Sequence, residues 1–311
     1  MLVYSIHPDH PLDGITQTIL RQFDDACRTL DIDYFLIGAT ARDIILTHVF
    51  GATIYRATRD LDFAVAVPDW STFHKLKSRF LARSDQWSRT DTLHRLVYRD
   101  NGMPAPVPLD LIPFGPIEDP SRTIAWPPDM IVIMSVAGFA DAFQAAIDVR
   151  VDDSDIRVAS IAGLTLLKLF AWADRHPATG PRSKDAEDLM IMLCGYADAG
   201  NLDRLYDPNG ALPILDACDY DLVAAGAYLL GLDAVAIASE DTRARILTLL
   251  SQADKRDQLA QHMARSQTTQ ENSLTHAGNM LAQFERGLQK GTFATGAKSH
   301  AEGPGIGAAN E

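Results

Sequence analysis

The sequence predicts an α+β fold: a mixed sheet with helices packed on it, followed by an all-helical C-terminal domain. Three observations carry this expectation. Short apolar runs with strand-like alternation alternate with helical periodicity up to about residue 112. From Ser160 onward the helical period dominates. Proline-rich punctuation at 104–108, 113–120 and 127–128 marks the loops between sheet elements. A chain of 311 residues is long enough for two cores. The expected boundaries are a mixed-sheet domain over 1–158, a helical domain over 159–290 and a disordered tail over 291–311.

The elements follow in order. Ile15, Ile19, Leu20, Phe23, Cys27 and Leu30 recur at helical spacing, so an amphipathic helix over 14–30 opens the fold. Next come a strand over 33–37, a helix over 40–50, a strand over 60–67 and a helix over 70–83. Strands over 92–99 and 106–112 complete the first half. Short strands are expected around 131–134 and 156–158. Helices are expected over 160–175, 183–198, 220–237, 241–252 and about 268–289, with Ser160 and Ser183 as N-caps. After Lys290 the chain is Gly/Ala-rich with few large apolar residues, which predicts disorder.

Composition narrows the function classes. No apolar run is long enough to span a bilayer, and the N-terminus lacks the basic and apolar regions of a signal peptide. A cytoplasmic protein with no membrane partner is expected. Cys27, Cys194 and Cys218 are few, odd in number and set in helical patterns, which points to reduced buried thiols. The 28 basic and 41 acidic side chains give a net charge of −13, the wrong sign for a general phosphate-binding surface. One local exception is a stripe of Lys75, Arg79 and Arg83, with Lys77, Arg89, Arg95 and Arg99 nearby, which offers a track for an RNA backbone. A near-miss phosphate loop at Gly291–Ser299 is rejected, because no buried strand precedes it and no apolar helix follows.

The chemistry concentrates elsewhere. In the strand over 60–67, Leu61, Phe63, Val65 and Val67 point one way, while Asp60 and Asp62 point the other, two residues apart. Like charges that close disfavour each other's ionisation, and a divalent cation relieves them. Asp110, between Leu109 and Leu111 on a later strand, is a third carboxylate. The three predict a metal site for Mg²⁺ with a nucleoside triphosphate (NTP). Gly38, Ala39 and Thr40 leave room for phosphate at a helix start, where N–H groups and the helix dipole favour an anion. Arg42 in the first helical turn adds a charge-assisted contact. Further on, Lys168 interrupts an apolar helical run and needs an anionic partner, either phosphate or Asp185.

Gly38-Ala39-Thr40-Ala41, Asp60-Leu61-Asp62 and Asp110 resemble the motifs of the polymerase-beta-like nucleotidyltransferase superfamily, with Ala39 where that family usually has a second Gly or a Ser. Leu164–Arg175 followed by Ser183–Leu189 resembles the helical motifs of the abortive-infection (AbiEii-type) toxin nucleotidyltransferases, and the resemblance spans roughly residues 15 to 195. It implies that Lys168 contacts the triphosphate, and that Asp185 contributes to catalysis or holds Lys168. It also implies transfer of a nucleotidyl group to the 3′ end of tRNA or another RNA, growth arrest, and a cognate antitoxin. Transfer to a small hydroxyl compound such as an aminoglycoside is the alternative, favoured by the acidic surface. Protein modification and a non-catalytic nucleotide-binding partner are the others.

Overall fold

The computed structural model describes residues 3–53, 59–175, 182–265 and 272–299. Its N-terminal half runs β1 (Val3–Ser5), α1 (Gly14–Leu30), β2 (Tyr34–Ile37), α2 (Gly38–Asp43), a π-helical turn (Ile44–Val49), β3 (Leu61–Ala66), α3 (Trp70–Leu81), β4 (Trp87–Arg89), β5 (Arg95–Tyr98) and β6 (Val107–Phe114). A small hairpin of β7 (Thr123–Ala125) and β8 (Ile133–Ser135), then α4 (Phe139–Gln144), β9 (Ile147–Val151) and β10 (Ser154–Val158), complete it. The eight-stranded sheet has the order β1-β9-β10-β2-β3-β6-β5-β4. It is mixed: β3 pairs parallel with β6, while β2 pairs antiparallel with β3 and β5 with β6.

The core explains the pattern of the strands. β3 alternates fully buried Leu61 and Phe63 with half-buried Asp62, then buries Ala64 and Val65. Helix α1, capped by the Asp13 side chain, lays Phe23 on Phe63 with ring centroids 3.6 Å apart. Stacking of this kind adds to the area buried. The expected helix over 40–50 starts earlier, at Gly38, and widens to a π-helix from Ile44.

The C-terminal half is helical, as expected: α5 (Ile161–Arg175), α6 (Lys184–Gly195), α7 (Leu202–Tyr206), α8 (Leu212–Asp216), α9 (Leu222–Ile237), α10 (Glu240–Ser251), α11 (Ala253–Ala264) and α12 (Ser273–Ser299). Ser183 caps α6 through the Ala186 N–H, and Ser160 accepts from the Gly163 N–H at 3.2 Å. Helices α9 and α12 cross backbone to backbone. A Cβ at Gly231 would lie 2.1 Å from the Phe284 carbonyl oxygen, and one at Gly287 would lie 2.1 Å from that of Tyr228. Helix α12 extends to Ser299, into the stretch expected to be disordered. A docked helix propagates cheaply once nucleated, which offsets the poor composition there. The rest of the expected tail, 300–311, lies outside the described residues.

Candidate active site

The site is built on one row of the sheet. Cross-strand registration places Ile37 of β2 opposite Asp62, Asp62 opposite Asp110, and Asp110 opposite Arg95. Residues registered in this way share a face, so two carboxylates and a guanidinium stand side by side. The corner between β2 and α2 closes onto this row. Gly38 has φ +76°, and a Cβ there would lie 2.1 Å from Oδ2 of Asp62. Only glycine fits both the left-handed backbone and the approach.

The two carboxylates differ in their surroundings. Both oxygens of Asp110 accept from Arg95, whose Nε and Nη2 each donate at 2.7 Å. Nε2 of His94 stands 3.9 Å from Asp110 Oδ2. Burial holds the His94 ring below the usual imidazole pKa, against the pull of Asp110. Burial first, and the Asp110 charge next, push the Asp62 carboxyl up to about 7, while Lys168 acts in the opposite direction.

Across from this row lies helix α5. Between them is a cavity of about 540 Å³, within the usual range for small-ligand sites. Gly38, Asp62 and Asp110 line the sheet side, and Lys168, Arg175 and Asp185 line the helical side. Lys168 Nζ donates to Asp185 at 3.2 Å and lies 2.6 Å from Asp188 Oδ2. Burial opposes its charge, but Asp188 and Asp185 more than offset this, and its pKa is raised. Arg175 donates to the other Asp185 oxygen at 3.2 Å. The structure therefore brings together Gly38, Asp62, Asp110, Lys168 and Asp185, all singled out in the sequence.

Three expected site residues, Arg42, Thr40 and Asp60, do not line the cavity. Arg42 does not face the phosphate corner. Its side chain is 1% exposed, and its guanidinium donates to Asp43 and to Asp188 on α6. A buried guanidinium takes the nearest carboxylates, and here these belong to its own helix and to α6. Thr40 is likewise committed, since its Oγ1 donates to the Asp60 carbonyl at 2.6 Å. Finally, the three carboxylates do not form one centre. Asp60 precedes β3 and does not line the cavity. Among the described residues no three of His, Cys, Asp or Glu gather closely enough to hold one ion. Asp62 and Asp110 remain as a pair of hard oxygen donors in adjacent register, a set that suits Mg²⁺ in kind. Ala39 is half-buried beside the corner, with no side-chain oxygen to offer.

Sequence reasoning did not assign His94, Arg95 or Asp188 to the site. Asp188 was legible in principle, because it lies three residues after Asp185 and so on the same helical face. Arg95 shows itself only once strand register is known.

A protein that gathers more carboxylates than cations beside a corner open to an anion has the parts a nucleotidyltransferase needs, and that is the class into which this chain falls. More narrowly, the chain belongs to the family of nucleotidyl transferase AbiEii toxins of type IV toxin–antitoxin systems, whose family model matches residues 20–270. No curated protein matches it. Among solved structures it is similar to an antigenic nucleotidyltransferase-like protein from Paracoccidioides brasiliensis (16% identity, TM-score 0.41, 70% of this chain and 94% of that one). It is also similar to the antibiotic-resistance factor ANT(2″)-Ia (13%, TM-score 0.35, 67% and 99%). A third is the Thermotoga maritima CCA-adding enzyme complexed with tRNA (11%, TM-score 0.26, 99% and 92%). No helix among the described residues is long and apolar enough to cross a membrane.

Proposed function

We propose that the chain transfers a nucleotidyl group from an NTP to a hydroxyl of an RNA acceptor such as tRNA, in the cytoplasm, under control of a cognate antitoxin. The carrying observation is the in-register Asp62–Asp110 pair, with Gly38 pressed against it and Lys168 across the cavity. Asp62 and Asp110 would hold Mg²⁺, with Asp60 adding negative field from outside the cavity. When bound, the ion supplies charge neutralisation on the triphosphate. The corner at Gly38–Ala39, free of bulky side chains, admits the phosphates to the backbone. Lys168, held between Asp185 and Asp188, presents its charge to them from α5.

The acceptor oxygen forms a bond to the α-phosphorus as the bond from that phosphorus to the bridging oxygen breaks. Pyrophosphate departs with that electron pair. The hydroxyl proton passes to Asp62, whose carboxyl is pushed up to about 7 by burial and by the neighbouring Asp110 charge.

A second reading, transfer to a cationic hydroxyl compound such as an aminoglycoside, draws on the acidity of the cavity, where Asp174 and Asp185 join the strand pair. Labelled NTPs with Mg²⁺, offered total tRNA, an aminoglycoside mixture or no acceptor, separate these readings. Label moving to tRNA, and lost in Asp62→Asn, is the expected result. Label moving only to the aminoglycosides overturns the RNA acceptor. Transfer at the parent rate by Asp62→Asn overturns the site.

A further inference from the structure

A second cavity, of about 330 Å³, lies beside the first and has the opposite chemistry. The aromatic rings of Trp70, Phe73, His74 and Trp126 line it together with Lys77 and Arg89, and none of the residues lining it is acidic. Trp126 and Phe73 are buried and form its floor, whereas Trp70 is half-buried and His74 exposed. The Trp70 and Trp126 ring centroids are 5.1 Å apart. Lys77 Nζ donates to the Leu93 carbonyl and sits 5.9 Å from the Phe73 ring centroid. Burial first, then the nearby Arg89 charge, lower the Lys77 pKa. Two cations held near each other without a lining carboxylate are relieved by an anion. The partition between the cavities is thin. His94 lines the first, and its ring centroid is 5.5 Å from that of Trp126, which lines the second.

We propose that this aromatic, basic cavity is the acceptor subsite: it stacks a base near the end of single-stranded RNA on Trp70 and takes the adjoining phosphate between Lys77 and Arg89, so that the strand passes His94 to reach Asp110. Aromatic stacking with a flanking positive charge is how proteins hold single strands without reading sequence. A cationic acceptor would be repelled by the same pair. The inference rests on the transferase reading for its purpose, but not for its test.

The test measures binding in the absence of NTP. A short, end-labelled single-stranded oligoribonucleotide is titrated into the full chain by fluorescence anisotropy over a series of salt concentrations. Arg89→Gln and Lys77→Gln should each flatten the dependence of log affinity on log salt by about 0.7. Trp70→Ala should weaken binding about ten-fold. Arg89 is exposed, so its variant tests the idea even where loss of the Trp70 ring perturbs the fold. Parent-like affinity and salt slope in both charge variants overturn the subsite. So does displacement of the RNA by a free nucleoside monophosphate at equal concentration, which would make the cavity a mononucleotide site. If RNA binds as expected while no acceptor is ever labelled, the transferase reading falls and the subsite stands.

Discussion

Two acidic clusters face each other across the main cavity, and they are built on opposite principles. On helix α6, Asp185 and Asp188 are buried and matched by cations: Lys168 and Arg175 for the first, Arg42 and Lys168 for the second. On the sheet, Arg95 matches Asp110, but Asp62 is flanked by the like charges of Asp110 and Asp60, and its carboxyl is pushed up to about 7. Balanced charge holds the architecture together. Unbalanced charge in a cleft is what chemistry requires, and it is destabilising until a substrate or ion arrives. Under the function proposed above, the contrast assigns residues of similar chemical type to structural and reactive roles.

The largest expected effect tests the reactive side. Asp62→Ala should lower nucleotidyl transfer by about 10³-fold, the scale of losing a group that stabilises charge at the reacting centre. Label transfer under saturating NTP measures it, and a parent-like rate would erase the distinction between the clusters. The structural side is tested by Asp188→Ala, which among the ion pairs of the described residues leaves Arg42 to Asp43 and Lys168 to Asp185. Unfolding in urea should show a loss of about 3–5 kcal/mol. A loss below 1 kcal/mol would mean that α6 is no better matched than the sheet.

The third prediction uses pH. A carboxyl whose folded pKa of about 7 exceeds its ordinary 3.8 retains its proton in the native state after the unfolded chain has lost it. Stability conferred by that proton is therefore present at low pH and is lost as pH rises from about 4 to about 7. Asp62→Asn carries no such charge. In the absence of divalent ions it should be more stable than the parent above pH 7, by about 1–2 kcal/mol after screening at the open cavity. Parallel melting curves of the two proteins from pH 4 to pH 8 would refute it. The smallest effect is Arg175→Gln. Its side chain is 56% exposed, so its pairing with Asp185 should contribute less than about 1 kcal/mol. A larger loss would place the strength of the α6 cluster at the cavity rim.

The sequence made one of these clusters easier to read than the other. Asp62 and Asp110 each interrupt an apolar strand, which singled them out before any pairing was known; only the β3–β6 register puts them side by side. Arg42 could not be read in the same way. Its partner Asp188 is 146 positions away, so a residue beside a glycine corner looked like a phosphate ligand. Helices α1, α3, α5 and α6 were legible because each repeats its apolar positions over three turns or more, and α9 because its almost unbroken apolar run is too long for a strand. Strands β1, β4 and β9 and helices α4, α7 and α8 were not. They are three to six residues long, too short to show a period, and the strands take their place from parallel or edge pairing. Helix α11 escaped because its apolar residues gather at its C-terminal end.

The Arg42–Asp188 contact has a mechanical meaning as well. It ties the glycine corner to the helical wall through a buried guanidinium that bridges α2 and α6. Opening the cleft at this corner would separate that pair and leave a buried charge unmatched.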